Sequence, residues 1–475
     1  MFIEGTWLAA SDGAEFTSTN PATGEVLGSV PDGGPADAAR AVDAAHGAFR
    51  DWAGRTAYER AAVLQRAHGL MLERQEDLAQ LMTREQGKPL RMARTEVTYA
   101  ADFLLWFAEE AKRVYGETIP SARANHRFLA LKQPIGVALA ITPWNYPISM
   151  LTRKIAPALA AGCTIVVKPA EQTPLCAVET VKFLEEAGVP PGVVNLVTTS
   201  DPVAVGESLV SNPLVRKISF TGSTEVGRII AARAGERLVR VSMELGGHAP
   251  FVVLPDADPV HAAKGAAALK SLNTGQACIC ENRIFVHESI AQQFTEVLAE
   301  RMAGMKAGDG RGDGVTIGPL IDQAAIDKMQ RQVDDAVAKG ATVATGGQRL
   351  AGEGYDDGFF WAPTVLTGVT PEMLIYREET FGPMVPVITY GDDDDVVAMA
   401  NDTDYGLAAY VYTRDLALAV RTAEALDFGM VGINDINPTS AAVPFGGVKQ
   451  SGLGREGARE GILEYLDTKV IGLSI

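Results

Sequence analysis

Two cysteines on a polar, glycine-bearing loop are the residues of this chain best suited to chemistry. Cys278 and Cys280 lie in the stretch from Ser271 to Arg283, which runs into the strand-like segment 284–286. A thiol is a useful nucleophile only as the thiolate, and exposed backbone amides beside a cationic ring lower its pKa. Most free cysteines are instead small buried hydrophobic residues. The loop therefore predicts either a nucleophile at Cys278 or a packing thiol.

Two polar side chains follow strand-like runs and can act on a reacting group. Asn145 lies in segment 143–147, which has a proline at each end, and an amide held on such a restricted backbone can donate to a developing oxyanion. Glu244 precedes paired glycines, and a carboxylate in apolar surroundings has a raised pKa and can act as a base. Taken singly, the first motif is also a structural turn and the second a solvated strand-end acid.

Two other motifs suit a nucleotide. Lys168 and Glu171 end a strand-like run, where a carboxylate accepts hydrogen bonds from a ribose diol and repels a 2′-phosphate. Gly222, Ser223 and Gly227 lie where a strand opens into a helix, so that backbone amides can approach a pyrophosphate. The alternatives are a surface ion pair and an ordinary glycine turn.

The apolar pattern predicts the elements that position these motifs. Short apolar runs alternate with helix-length segments, first at 137–142, 164–168, 193–197, 217–220 and 239–243, then at 251–254, 284–286, 384–390, 408–412 and 430–434. This rhythm is typical of parallel βαβ units, so we expect two α/β domains. The N-terminal part predicts a hairpin within residues 1–30, one helix ending at Gly87, and a second over about 92–115. The acidic run 392–395 is interpreted as a helix N-terminus rather than a metal site.

Length and composition exclude several classes of protein. The chain has 475 residues, of which 47% are apolar and 21% charged, so two or three domains are expected. Its net charge of −17 argues against binding to nucleic acid or an anionic membrane. No signal sequence or spanning helix is predicted. Four unevenly spaced cysteines fit neither a disulfide framework nor a zinc site, and a cytoplasmic location is expected.

Together these motifs closely resemble the aldehyde dehydrogenase superfamily, and the match includes segments 378–383 and 444–452. Within it, segment 112–120 and the two cysteines of the loop are most similar to the succinate-semialdehyde dehydrogenase branch. The resemblance implies two Rossmann-type α/β domains plus a small β arm. The implied division is an NAD-binding domain at 1–117 and 139–247, a catalytic domain at 248–450, and an oligomerisation arm and tail at 118–138 and 451–475. It also implies a homodimer or homotetramer.

The resemblance implies NAD(P)-dependent oxidation of an aldehyde to a carboxylate. The Cys278 thiolate would form a thiohemiacetal and then a thioester, with Asn145 and the backbone amide of Cys278 holding the oxyanion. Glu244 would activate the hydrolytic water. Lys154 and Glu456 match a proton-relay pair of the family, or form a structural ion pair. Cys280 could close a disulfide with Cys278 under oxidation, or only pack.

The remaining implied roles concern cofactor and substrate. NAD would be preferred over NADP, and its site would comprise Thr142, Pro143, Trp144, Lys168, Glu171, Gly222, Ser223, Gly227, Glu379 and Phe381. Arg153 and Ser440 match groups that anchor a substrate carboxylate, whereas Leu272 replaces a second anchoring arginine. The sequence thus predicts an enzyme resembling succinate-semialdehyde dehydrogenase, or one for another small polar or less charged aldehyde. The intact Cys278, Glu244 and Asn145 set disfavours a CoA-acylating or non-catalytic relative.

Overall fold

The computed structural model describes residues 1–475. Its strands are β1 (Phe2–Ile3), β2 (Thr6–Trp7), β3 (Glu15–Thr19), β4 (Val26–Pro31), β5 (Glu117–Ile119), β6 (His126–Pro134), β7 (Val137–Ile141), β8 (Thr164–Lys168), β9 (Val194–Leu196), β10 (Val215–Thr221), β11 (Arg240–Glu244), β12 (Ala249–Val253), β13 (Glu281–His287), β14 (Thr342–Thr345), β15 (Thr364–Thr367), β16 (Met384–Tyr390), β17 (Ala408–Tyr412), β18 (Met430–Ile433), β19 (Gly452–Leu453) and β20 (Leu466–Ser474).

The helices lie between these strands. They are α1 (Pro35–Ala53), α2 (Ala57–Glu73), α3 (Gln75–Gln86), α4 (Leu90–Ala111), α5 (Ser149–Ala161), α6 (Pro174–Glu186), α7 (Pro202–Ser211), α8 (Thr224–Gly235), α9 (Pro259–Ser271), α10 (Glu288–Ala303), α11 (Gln323–Ala338), α12 (Leu374–Arg377), α13 (Val396–Asn401), α14 (Leu416–Ala425) and α15 (Ala458–Leu463). None combines the length and the apolar composition that crossing a membrane requires.

The first sheet has eight strands in the order β19-β11-β10-β7-β8-β9-β1-β2. The five from β11 to β9 are parallel, and helices cover both faces, which explains why these strands are near-continuous apolar runs. Helix α5 is buried along its whole length. The parallel arrangement brings the carboxyl ends of β7, β8, β10 and β11 to one edge, where Thr142, Lys168, Thr221 and Glu244 lie.

The second sheet has seven strands in the order β14-β15-β16-β13-β12-β17-β18. Only β14 is antiparallel to its neighbour. The segment 272–280, which carries both cysteines, connects α9 to β13. The nucleophile loop, as we call this segment, therefore lies at the amino end of a central strand of the second sheet.

Two smaller sheets complete the fold. Strands β3 and β4 form a hairpin, and β20, β6 and β5 form an antiparallel sheet. The predicted fold class, two α/β units with a small β arm, is confirmed. The tail is divided, however, because β19 pairs with β11 in the first sheet while only β20 joins β6.

Some local predictions differ from the structure. The single helix expected before Gly87 is two helices, α2 and α3, separated at Arg74, whose φ of −112° and ψ of 27° interrupt the helix. The strands β14 and β15 carry no apolar run long enough to have been predicted. The acidic run behaves as expected, because the Asp395 carboxylate caps α13 by accepting from the amide of Ala398.

Candidate active site

Three consecutive residues of the nucleophile loop adopt left-handed backbone conformations. Asn273, Thr274 and Gly275 have φ values of 47°, 59° and 73°. At Gly275 a Cβ atom would lie 2.2 Å from the carbonyl oxygen of Gly382, so only glycine fits there. Non-glycine residues in this region are costly and persist only where the surroundings hold them. This backbone conformation is the local reason that the chain turns sharply before Cys278.

Hydrogen bonds from a neighbouring segment hold this loop in place. Thr274 Oγ1 accepts from the amide of Gly318 at 2.9 Å, and Gln276 Oε1 accepts from the amide of Ile321 at 3.0 Å. Gln276 Nε2 also donates to the carbonyl of Pro319 at 3.2 Å. Both side chains are buried, so these bonds are shielded from water. Contacts within the protein therefore hold the loop without any ligand.

Cys278 is half-buried and lines a cavity of about 260 Å³. Burial raises the pKa of its thiol, the charges of Glu379 and Glu244 raise it further, and Arg153 opposes them. The predicted lowering of the thiol pKa requires a bound cationic ring and stays a prediction. The chain itself places two carboxylates near the thiol.

Cys280 has a different environment. It is fully buried, and its Sγ lies 3.3 Å from the carbonyl oxygen of Leu269 at the end of α9. Burial raises the pKa of this thiol to about 12, with Lys270 opposing the shift. A thiol in this setting is unreactive while it stays buried.

The Asn145 side chain faces the nucleophile loop. Its Nδ2 donates to the carbonyl oxygen of Gln276 at 3.0 Å, and the residue is 4% exposed. The backbone carbonyl oxygen of Asn145 accepts from Asn273 Nδ2 at 2.8 Å. The structure thus joins the end of β7 to the nucleophile loop through paired amide contacts. An amide held in this way needs no reorganisation to donate to an oxyanion.

Glu244 lies at the end of β11 and is 3% exposed. Neither carboxylate oxygen has a hydrogen-bond partner in the protein. Burial raises the pKa of Glu244 well above its ordinary value, Glu456 raises it further, and Lys154, Arg153 and Arg455 oppose the shift. The carboxyl group approaches Gly446, where a Cβ atom would come within 2.8 Å of Oε1. A buried, unpartnered carboxyl group of this kind suits proton transfer.

Lys154 and Glu456 form a buried ion pair. Lys154 Nζ contacts Glu456 Oε1 and donates to Thr221 Oγ1 at 2.7 Å. Arg153 lies next along α5 and its guanidinium is 3.6 Å from Glu456 Oε2. The pair lies close enough to Glu244 for the negative charge of Glu456 to raise the pKa of the Glu244 carboxyl group.

A groove of about 530 Å³ lies at the carboxyl edge of the first sheet. It brings together most of the residues expected to bind the cofactor, namely Thr142, Pro143, Trp144, Lys168, Glu171, Gly222 and Ser223. Lys168 Nζ lies 3.5 Å from Glu171 Oε2, and burial lowers the pKa of Lys168 while Glu171 opposes this. The N-terminus of α8 opens beside the groove, with Ser223 as its cap. These groups fit a nucleotide: a diol acceptor at Glu171 and amide donors for phosphate at α8.

Three of the expected cofactor residues lie outside this groove. Gly227 permits close packing, because a Cβ atom there would lie 2.4 Å from Leu245 Cδ2. Glu379 accepts from the amide of Gly247 at 2.9 Å. Phe381 has a left-handed φ of 57° and packs edge-on against Trp144, with ring centroids 5.6 Å apart. The segment 379–381 therefore joins the groove to the region of Cys278.

The cavity that Cys278 lines contains two of the three expected substrate residues, Arg153 and Leu272. Arg153 is 2% exposed; its guanidinium stacks over Phe445 at 4.2 Å and donates to Tyr99 Oη at 2.7 Å. Arg153 therefore contributes a buried positive charge to the cavity wall, where Tyr99 and Phe445 hold its guanidinium.

The structure places Thr439, rather than the expected Ser440, in the cavity wall. Ser440 Oγ accepts from the amide of Ala442 at 3.1 Å in a local turn, and this residue is absent from the cavity wall. Thr439 lies in the wall instead, together with Asn437. Thr439 Oγ1 donates to Asn437 Oδ1 at 2.8 Å. The amide oxygen of Asn437 is therefore turned toward Thr439, and its amide nitrogen is turned away.

Sequence reasoning missed Tyr99, Asn437 and Thr439. Tyr99 is a half-buried residue of α4, and nothing in its local pattern distinguishes it from a packing residue. Asn437 and Thr439 lie on the irregular segment after β18. Polar residues on a loop whose flanking elements converge on a cavity are candidates for ligand contacts, but only the fold identifies the cavity.

Comparison with known proteins places these features in context. The model of the aldehyde dehydrogenase family matches residues 7–471. A 3-sulfolactaldehyde dehydrogenase of Pseudomonas putida is 51% identical, over 99% of this chain and 96% of the relative. A glutarate-semialdehyde dehydrogenase of Pseudomonas putida is 50% identical, over 100% of this chain and 97% of the relative. A succinate-semialdehyde dehydrogenase of Escherichia coli, whose name specifies NADP(+), is also 50% identical, over 100% of this chain and 97% of the relative. The crystal structure of succinate-semialdehyde dehydrogenase from Burkholderia pseudomallei has a TM-score of 0.97 at 50% identity, over 100% and 97%.

Proposed function

The chain belongs to the aldehyde dehydrogenase family and is an NAD(P)-dependent oxidoreductase, and on this premise we propose that it oxidises a short aldehyde with an anionic far end, with NAD as the preferred cofactor. The observation that carries the proposal is one cavity that contains Cys278 at one position and the Arg153–Tyr99 pair at another. The sequence-based assignment to the family is confirmed. The aldehyde and the residue roles below are our inference.

The proposed reaction uses the chain's own groups in order. The Cys278 thiolate attacks the aldehyde carbon, and the oxyanion accepts hydrogen bonds from Asn145 Nδ2 and from the Cys278 amide. A bound NAD(P) would supply the acceptor for the hydride of the thiohemiacetal carbon, and a thioester would then remain on Cys278. Glu244 then takes a proton from water, which attacks the thioester and releases the carboxylate and the thiol. Lys154 and Glu456 would pass that proton on.

The preference for NAD rests on the charge of Glu171. Its carboxylate lies in the groove beside Lys168, where it would accept from a ribose diol and repel a 2′-phosphate. Lys168 is mostly buried and already paired to Glu171, so its charge only partly offsets the repulsion. The Escherichia coli relative carries NADP(+) in its name, and the preference of this chain therefore has to be measured.

The inference of an anionic substrate combines the cavity with the relatives. Each of the three relatives is named for a short aldehyde that bears a sulfonate or a carboxylate. In this chain one buried arginine faces such a group, and Leu272 contributes an apolar surface where a second cation is expected. We therefore expect weaker discrimination between anionic and uncharged aldehydes than two arginines would give, and tolerance of a longer chain.

Tyr99 is the group through which Arg153 would act. Because the guanidinium donates to Tyr99 Oη, the phenol keeps its own proton available for an acceptor in the cavity. The neighbouring positive charge strengthens that donor. Asn437 would supply a second donor from the opposite segment. An anion held in this way is recognised by neutral donors that a buried cation polarises.

The test is NADH formation by the wild-type protein over aldehydes of matched length, with butanal and succinate semialdehyde as the first pair. We expect a higher kcat/KM for the anionic member. Tyr99→Phe should raise KM for succinate semialdehyde about tenfold, the value of one charge-assisted hydrogen bond, and leave butanal within about twofold.

Two outcomes would contradict the proposal. The first is equal kcat/KM for the two aldehydes with the wild-type protein, and the second is an equal effect of Tyr99→Phe on both. Arg153→Ala is less discriminating, because Arg153 also contacts Glu456 and opposes the raised pKa of Cys278. That variant is expected to slow the oxidation of both aldehydes.

We further propose that the domain division follows the sequence expectation, with residues 248–450 catalytic and the β5–β6–β20 sheet as an oligomerisation arm. Val470, Leu473 and Ile475 are exposed on or just after the edge strand β20, and an exposed apolar edge favours contact with a second copy of the chain. Sedimentation should then report a dimer or tetramer.

The free cysteines support the expected cytoplasmic location, because disulfides are rare in that reducing compartment.

A further inference from the structure

A buried ion pair that the proposed chemistry does not use lies beside Asn145. Lys88 follows α3 and Glu96 lies on α4, and each side chain is 1% exposed. Lys88 Nζ contacts Glu96 Oε2, donates to the carbonyl oxygen of Asn145 at 2.7 Å and lies 4.0 Å from the ring centroid of Tyr146. These contacts occupy the three donors of the ammonium group.

Glu96 holds the other end of the same segment. Its Oε1 accepts from the amides of Ile148 and Ser149, both at 3.1 Å. These amides open α5, where the first N–H groups have no partner within the helix and the dipole favours a negative charge. Helix α5 also carries Arg153 and Lys154. The ion pair therefore connects α4 to both ends of segment 145–149 and to the start of α5.

The nucleophile loop holds Asn145 from the opposite side. Asn273 Nδ2 donates to the same carbonyl oxygen that Lys88 binds, at 2.8 Å. The Asn145 backbone is thus fixed by one donor from each side, and its side-chain amide donates to the nucleophile loop. A change at Lys88 would release one of the two donors that determine where this amide lies.

We propose that Lys88 and Glu96 are positioning residues, which hold the Asn145 amide at the place where the oxyanion develops. This inference rests on the proposed function. A buried ion pair is weak evidence of a stabilising role, because two apolar side chains of similar volume often serve as well. Contacts with segment 145–149 give the pair a reason to be ionic: an apolar pair fills the space but cannot bind a carbonyl and two amides.

The test compares variants that keep the fold but lose these contacts. Lys88→Met/Glu96→Leu replaces both charges, and Glu96→Gln keeps the shape of the side chain but removes its charge. We expect single-turnover NADH formation, with enzyme in excess over an uncharged aldehyde, to slow about 10- to 100-fold, because misplacement by about 1 Å has an effect of this size. KM for the aldehyde and for NAD should stay within about twofold. Amide exchange at Ile148 and Ser149 should accelerate.

The matched control is Lys217→Met, which also removes a buried lysine paired to a glutamate, Glu464, but makes no contact with segment 145–149. It should lower Tm and leave both the single-turnover rate and the exchange at Ile148 and Ser149 unchanged. The uncharged aldehyde is used because Glu96 itself lines the Cys278 cavity, so that a change in its charge would alter binding of an anion.

Wild-type single-turnover rates in both Lys88/Glu96 variants would overturn the proposal, as would the same slowing in Lys217→Met. If the double variant does not fold, Glu96→Gln decides. If the wild-type protein oxidises no aldehyde, the proposed function fails, whereas amide exchange still tests the positioning role. Unchanged exchange at Ile148 and Ser149 in Glu96→Gln would then overturn it.

Discussion

The two ends of the Cys278 cavity are built differently. At the reacting end, Asn145, Glu244 and the nucleophile loop are buried and held by backbone hydrogen bonds from several elements. At the recognition end, Asn437 is exposed and Thr439 half-buried on an irregular segment, and Tyr99 projects from α4. We therefore expect a substitution at the reacting end to disturb several groups at once. At the recognition end, we expect a substitution to alter substrate preference while the chemistry stays the same.

This difference has an electrostatic counterpart. The reacting end contains carboxyl groups whose burial raises their pKa, as at Glu244 and Glu379. The recognition end contains a buried cation, Arg153, whose guanidinium donates to Tyr99 Oη. Burial and nearby carboxylates thus raise the pKa of the Cys278 thiol at the reacting end, whereas the recognition end supplies a positive charge.

The largest effect is expected at the nucleophile. Cys278→Ser should lower NADH formation on the order of 10³-fold or more, because a serine hydroxyl without a dedicated base is a far poorer nucleophile than a thiolate. Cys280→Ser is the control two residues away and should retain activity within about twofold under reducing conditions, since its Sγ faces α9. Activity in Cys278→Ser above about 1% of wild type would contradict the assignment.

The next effect concerns the second half of the reaction. Glu244→Gln should form one equivalent of NADH and then stall, with the steady rate reduced about 10²- to 10⁴-fold, because no base activates water for the thioester. Stopped-flow absorbance and mass spectrometry of the acyl-enzyme measure this. Steady turnover at the wild-type rate would exclude Glu244 as the base.

The control for Glu244 is Glu281, a second buried acid whose carboxylate oxygens lack partners and whose pKa burial raises from 4.5 to about 8. An acid with a raised folded-state pKa binds its proton more tightly when folded, so stability falls as pH rises from 4.5 to about 8. Both Glu281→Gln and Glu244→Gln should therefore stabilise the protein more at pH about 8 than at about 5. Only Glu244→Gln should stall turnover.

A smaller effect is expected at the recognition end. Leu272→Arg should lower KM for succinate semialdehyde about tenfold, because it adds one charge-assisted hydrogen bond, and should not improve butanal. Initial-rate measurements with both aldehydes test this. A parallel gain for butanal would show that Leu272 acts through cavity shape rather than through missing charge.

The cofactor groove lies outside both ends of the cavity. We expect a substitution there to have a moderate effect on the preference between NAD and NADP. Glu171→Gln should reduce the discrimination between NAD and NADP several-fold, about three- to tenfold, because the side chain is partly exposed and its field is screened. The ratio of the two kcat/KM values is the measurement. If NADP already equals or exceeds NAD with the wild-type protein, Glu171 does not have this role.

The smallest expected effect distinguishes the hydroxyl groups of two consecutive residues, Thr439 and Ser440. Thr439→Val should raise KM for the anionic aldehyde about threefold, because Asn437 loses the contact that directs its amide. Ser440→Ala is the matched control and should have no effect on KM, since its hydroxyl bonds only to the local turn. The reverse order of effects would restore Ser440 as the anchoring group.

The residues at the reacting end were recognisable because each lies in a motif whose local geometry is tied to its chemistry. Asn145 lies between prolines, Glu244 before paired glycines, and Cys278 on a glycine-bearing loop. The direction in which the protein itself shifts the Cys278 pKa was not recognisable, because it depends first on burial of the thiol and then on Glu379, which lies about a hundred residues away in the sequence. Tyr99, Lys88 and Glu96 carry no motif-level signal, since their roles arise from contacts between α3, α4 and the end of β7.

The sequence by itself determined the fold class, the order of parallel strands and helices, and the identity of the family, because periodic apolar runs and short chemical motifs are local properties of the chain. Only the tertiary structure decided that Thr439 rather than Ser440 lines the cavity, that Arg153 contacts Tyr99, and that Lys88 and Glu96 contact segment 145–149. These are contacts between segments distant in sequence. Their geometry depends on how two sheets and α4 pack together, and neither composition nor spacing specifies distances between side chains.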